Sequence, residues 1–170
     1  GSQGAQVLNK VVPEAIKLLS LPAAIEIRHQ AGAKRVDEAR KAYAEAGVDA
    51  EILPFIGDMA EAYTWADLVI CRSGALTVAE LATAGVASVL VPFAFAVDDH
   101  QTRNAEYLAD AGAAIILSQS SLDPQILATT LKPLLSDRAV LLSMSISARQ
   151  KAIPDAAEKV VEACSEWVVS

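Results

Sequence analysis

The chain has 170 residues, 53 % of them hydrophobic but only 5 % aromatic, and a formal charge of −7 with a pI near 4.8. That size allows one domain with a sizeable core of Ala, Val, Leu and Ile, as in layered α/β folds. The acidic balance excludes nucleic acid and non-specific adhesion to anionic lipid. The longest apolar run, Val89 to Val97, contains Pro92 and is too short to span a bilayer. Cys71 and Cys164 make no disulfide framework, which points to a reducing, cytoplasmic setting.

Gly1-Ser2-Gln3-Gly4-Ala5 runs directly into helical spacing through Val7, Leu8, Val11, Val12, Ile16 and Leu19. A glycine loop that opens a helix normally follows a strand, so a longer protein is expected, with an additional strand before Gly1 at the centre of the sheet. Its absence should leave backbone groups unpaired on the neighbouring strands. Ala24 to His29 reads as a strand, with His29 in a structural role near its end, and Lys34 to Ala46 as an exposed amphipathic helix. Ala50 to Pro54 is a short strand. In Phe55-Ile56-Gly57-Asp58-Met59, Gly57 turns the chain and Asp58 caps a helix from Met59 to Trp65. Phe55 and Ile56 can border a planar base whose edge is read by backbone amides; they can equally plug the end of the sheet.

Leu68 to Cys71 is an apolar β-rich run, and Leu76 to Ala84 has helical spacing, so Arg72-Ser73-Gly74-Ala75 turns a strand into a helix. Such a junction is an anion site. Ser73 is expected at the N-cap, Gly74 lets a ligand approach the backbone, and the first N–H groups of the helix point at whatever sits above them. Glu80 lies one turn beyond Thr77 on a shared face, and four residues from Leu76. At about 1.5 Å per residue it is roughly 9 Å along the axis from Gly74, too far to repel a phosphate strongly and suited to two vicinal ribose hydroxyls. The same residues also make an ordinary cap followed by a solvated charge.

Ala87 to Val91 is a near-continuous apolar strand, as in a parallel sheet covered on both faces. The loop after it should reach the same rim as Gly74, where open α/β sheets bind ligands. Asp98 or Asp99 is expected to cap the next helix, placing His100, Gln101 and Asn104 in its first turns. That row of donors and acceptors suits sugar hydroxyls, or is simply a polar helix start. A strand over 113–117, helices from Pro124 to Leu135 and Arg138 to Lys151, and a terminal helix over 156–168 after Pro154 complete the pattern. Alternating strands and helices imply a parallel sheet. No cluster of Asp, His and Cys has metal-ligand spacing, and no cofactor is called for.

The Gly1–Ala5 loop, Phe55–Met59, Cys71–Thr77 with Glu80, Pro92-Phe93 followed by His100-Gln101 and Asn104, and Ile153–Ala156 together resemble the C-terminal, donor-binding half of the MurG family over essentially the whole chain. These are bacterial transferases that move N-acetylglucosamine from UDP-N-acetylglucosamine to lipid I, making lipid II for peptidoglycan synthesis. The resemblance implies an α/β, Rossmann-like half of a two-domain, inverting, metal-independent GT-B glycosyltransferase, lacking its first strand and inactive alone. It implies that the Ile56 backbone, with Phe55 and Met59, takes the uracil, and that Arg72 and the Ser73–Thr77 segment (Ser73, Gly74, Ala75, Leu76, Thr77) hold the diphosphate. Glu80 would take the ribose, His100, Gln101 and Asn104 the sugar, and Ser2 and Gly4 would lie by the phosphates and acceptor. His100 stands where many members carry glutamine. The general base, the lipid I contacts and most membrane contact fall to the N-terminal half, at the cytoplasmic face of the inner membrane. A partner-dependent nucleotide-sugar-binding subunit and a UDP-N-acetylglucosamine epimerase of the same architecture are the alternatives.

Overall fold

The computed structural model describes residues 6–21, 24–93, 99–153 and 155. The expected terminal helix and residues Ser2, Gly4, Asp98 and Cys164 lie outside them. In chain order the elements are α1 (Gln6–Lys17), β1 (Arg28–Gln30), α2 (Val36–Ala46), β2 (Glu51–Leu53), α3 (Met59–Trp65), β3 (Leu68–Cys71), α4 (Ala75–Ala84), β4 (Ala87–Leu90), α5 (His100–Ala109), β5 (Ala114–Ile116), α6 (Pro124–Ser136) and α7 (Arg138–Gln150).

Among the described residues all strand pairs are parallel, as expected, and they form two groups. β1 pairs with β2, with Arg28 opposite Glu51 and Gln30 opposite Leu53. β3, β4 and β5 pair in that order, with Ile70 opposite Val89 and Val89 opposite Ile115. β1 and β3 share no ladder, and both line one cavity of about 840 Å³, with Leu8, Val12 and Ile16 of α1 closing it. The strand expected over Ala24–His29 is accordingly shorter than its sequence promises. Only Arg28–Gln30 form the ladder; before them, the Ile27 carbonyl accepts from the Glu51 N–H at 2.8 Å. An extended run with a ladder on one side only is held less firmly than its β-propensity suggests.

β4 carries the core. Its four residues are all buried, and its side chains alternate between two apolar clusters. Ala87, Val89 and Val91 pack with Leu8 and Val12 of α1 and Leu127, Leu131 and Leu134 of α6. Leu90 packs on the other face with Leu81 of α4 and Leu108 of α5. Fully burying each such leucine contributes about 1.5–3 kcal/mol. α4 and α2 end at Gly85 and Gly47, both at φ +69° in the left-handed region that a Cβ disfavours.

Candidate functional site

β3 delivers the chain to Arg72-Ser73-Gly74, and α4 starts at Ala75. The N-cap is Gly74, in extended backbone at φ −61° and ψ 147°, and no side chain caps the helix. This corrects the expectation for Ser73, whose buried hydroxyl turns inward and donates to the Gln101 carbonyl at 2.7 Å. The first helical bond runs from the Val78 N–H to the Gly74 carbonyl at 2.9 Å. The N–H groups of Ala75, Leu76 and Thr77 therefore have no acceptor within the helix, and the positive end of its dipole is undamped by a capping oxygen. A Cβ placed on Gly74 would meet only the Thr77 Oγ1, at 3.7 Å. Protein packing therefore does not demand glycine there.

The start of α5 is bound to this tip. The Asn104 amide donates to the Ser73 carbonyl at 3.1 Å, and Gln101 Oε1 accepts the Phe93 N–H at 2.9 Å. Arg72 donates to the carbonyls of Val91 and Pro92 and lies 5.4 Å over the Phe93 ring. Partial burial lowers its pKa, but a guanidinium remains charged at neutral pH. Ser73, Gln101 and Asn104 thus meet, as the sequence reading had them meet at one rim, but each spends part of its bonding capacity on holding that rim together. The amide nitrogen of Gln101 and the amide oxygen of Asn104 are the ends left over from these bonds. Asp99 is the N-cap of α5, at φ 53°; its carboxylate accepts from the Thr102 hydroxyl instead of a backbone N–H. His100 is exposed in the first turn.

The cavity between β1 and β3 opens onto the same region. Phe55, Ile56, Met59, Arg72, Thr77 and Glu80 all line it. Asp58 caps α3 as expected, accepting from the Glu61 N–H at 2.9 Å. Phe55 is 69 % exposed and Leu76 81 %, so neither plugs the sheet nor joins the core. Two partners here were not foreseen. Gln30 Oε1 accepts the Ile56 N–H at 2.8 Å, which anchors the Ile56 peptide to the end of β1. Tyr63 of α3 donates its hydroxyl to Glu80 Oε2 at 3.0 Å. Burial, that hydrogen bond and the charge of Glu80 all raise the Tyr63 pKa, so the phenol keeps its proton. Helical spacing places Tyr63 on the face of α3 turned to the core, but nothing local reveals the cross-helix partner.

Two candidate nucleophiles or bases drop out. Burial pushes the Cys71 thiol up to about 12, so it is not a thiolate at neutral pH. His29 is held on both ring nitrogens, by Asn9 Oδ1 at 2.8 Å and the Tyr43 hydroxyl at 2.9 Å. Because the Asn9 amide donates to the Ala31 carbonyl, its oxygen must accept from His29 Nε2–H, and Nδ1 accepts from Tyr43. Burial lowers this imidazole to about 4 and keeps it neutral. The expected structural role of His29 is what the structure gives it. Among the described residues, no group of three or more His, Cys, Asp or Glu side chains could hold a metal ion, and no helix is long and apolar enough to cross a membrane.

The family described as the glycosyltransferase family 28 C-terminal domain matches residues 1–160. The chain belongs to that family. A Marinobacter nauticus protein named UDP-N-acetylglucosamine--N-acetylmuramyl-(pentapeptide) pyrophosphoryl-undecaprenol N-acetylglucosamine transferase is 55 % identical over 98 % of this chain and 46 % of its own length. One of the same name from Xanthomonas axonopodis pv. citri is 57 % identical over 95 % of this chain and 38 % of its own. The chain spans about half the length or less of these curated relatives. The crystal structure of Acinetobacter baumannii MurG superposes with a TM-score of 0.90 at 47 % identity, over 98 % of this chain and 50 % of that one. The spinosyn forosaminyltransferase SpnP, at 16 % identity and a TM-score of 0.60 over 89 % of this chain and 45 % of its own, shares the fold. The GT-B C-terminal architecture expected from the sequence is therefore the one present.

Proposed function

We propose that this chain is the donor-binding half of an inverting glycosyltransferase that takes N-acetylglucosamine from UDP-N-acetylglucosamine and delivers it to lipid I, forming lipid II for peptidoglycan. The observation that carries the reading is the gathering of the Ile56 peptide, Thr77 and Glu80 around one cavity, beside a helix tip with uncapped N–H groups. Those are the three kinds of group that a base edge, a ribose and a diphosphate need. The names and identities of the relatives support this donor and acceptor.

In this assignment the uracil lies against Phe55, Ile56 and Met59, and Glu80 accepts from the two ribose hydroxyls. The diphosphate sits over Gly74, Ala75, Leu76 and Thr77, with Arg72 and Ser73 behind them. His100, Gln101 and Asn104 face the sugar. The acceptor hydroxyl attacks the anomeric carbon from the face opposite the diphosphate, and the carbon–oxygen bond to UDP breaks with its electron pair. The negative charge gathering on the leaving phosphate is met by fixed helix N–H groups that need no reorganisation. The hydroxyl proton goes to a general base on the part of the protein beyond this chain. That part also carries the lipid I contacts and most membrane contact, at the cytoplasmic face of the inner membrane. The test is a calorimetric titration of the intact protein with UDP-N-acetylglucosamine and other nucleotide sugars. Preference for the uridine donor supports the reading; equal affinity for all would overturn it.

A further inference from the structure

We infer that Tyr63 is a positioning residue for nucleotide binding: its hydroxyl fixes the Glu80 carboxylate so that the rest of that carboxylate can read a pair of vicinal hydroxyls. The inference rests on the proposed ribose role of Glu80 and extends it to a residue on a different helix. Glu80 is exposed near the middle of α4, and an exposed glutamate samples many rotamers. Tyr63 is 9 % exposed and packs with Val78, Leu81 and Ala82 of that same helix, so its ring cannot wander. The 3.0 Å bond to Oε2 transfers that rigidity to the carboxylate. One lone pair of Oε2 is used, which leaves the whole of Oε1 and the second lone pair of Oε2 facing the cavity both residues line.

The choice of a phenol has a chemical consequence. A lysine or arginine would hold Glu80 as well, but would neutralise it and compete with the ligand's hydroxyls. Among the described residues Glu80 has no ion-pair partner, so the carboxylate keeps its full accepting strength while being held. A fixed carboxylate that accepts from two hydroxyls discriminates against a sugar lacking one of them, because one of its two charge-assisted hydrogen bonds to the ligand is then lost. Tyr63 is thereby a determinant of ribose over deoxyribose.

The experiment is a calorimetric cycle on the intact protein with UDP and 2′-deoxy-UDP, using Tyr63→Phe, Glu80→Ala and the double variant; Phe keeps the buried ring, and a thermal melt of each variant verifies folding. Tyr63→Phe is expected to weaken UDP three- to tenfold and 2′-deoxy-UDP less than twofold, and to change UDP affinity less than twofold when Glu80 is already Ala. Equal losses for both nucleotides, or the same loss with and without Glu80, would mean that Tyr63 only supports the fold, and no loss at all would also overturn the inference. Should Glu80→Ala itself leave UDP affinity intact, the ribose assignment fails first, a result distinct from a failure of Tyr63 alone.

Discussion

The two strand groups of this domain are built to different standards. β4 is paired along both edges, covered on both faces and buried at every residue, whereas β1 is paired on one edge, borders a cavity on the other and carries a polar network of Asn9, His29 and Tyr43 at its side. The candidate site draws on both. Glu80, Thr77 and the α4 tip hang from the three-stranded group, while Phe55 and Ile56 follow β2 of the two-stranded group and are tied to it through Gln30. A nucleotide bound as proposed would span the two, so that its binding energy also holds them in register.

The strongest way to break this contrast is to cut into each group equally. Leu90→Ala, in the three-stranded group, is expected to cost about 2–5 kcal/mol in denaturant unfolding. Ile27→Ala, beside β1, should cost less than half as much, because Ile27 is only partly buried and borders space already. Equal costs would show that both groups are packed alike. Next comes the proposed link between them: Glu80→Ala should weaken UDP by about tenfold or more, since a hydrogen bond to a charged group contributes about 1.5–3 kcal/mol. Calorimetry measures it directly.

The polar network gives a third, pH-dependent handle. Unfolded, His29 takes up a proton near its ordinary value of 6.5, while the folded chain resists until about 4. The unfolded state therefore binds more protons within that window, and stability, complete above pH 6.5, falls as the pH drops through it. From pH 7 to 5 the loss should be about 2 kcal/mol, and amide exchange should show β1, α1 and α2 opening before β4. Replacing His29 by Gln should flatten that dependence; an unchanged pH profile would count against the network as its source. The smallest effect concerns the loop itself. Asp58→Ala removes the cap of α3 and should cost about 1 kcal/mol in denaturant unfolding.

How much of this could be read in advance follows the same division. β4 declared itself as a near-continuous apolar run, and Asp58 and Pro124 marked their helix starts, because each depends on chemistry within a few residues. Ser73 misled for the complementary reason. A serine before a helix is a good cap in isolation, but here Gln101, 28 residues away, offers a carbonyl that takes its hydroxyl. Tyr63 and Gln30 act across 17 and 26 residues, and no local spacing encodes such a meeting. The shortened β1 is likewise a matter of what lies beside it, which β-propensity does not describe.

The paired bonds Ser73 Oγ to Gln101 carbonyl and Asn104 amide to Ser73 carbonyl close a small ring between two helix starts. Whatever tilts one helix start must drag its companion along. Changes made on the side proposed for the hexose should therefore be felt in how the pyrophosphate is gripped, and donors that differ only in their sugar would be told apart partly by the strain they impose on the phosphate grip.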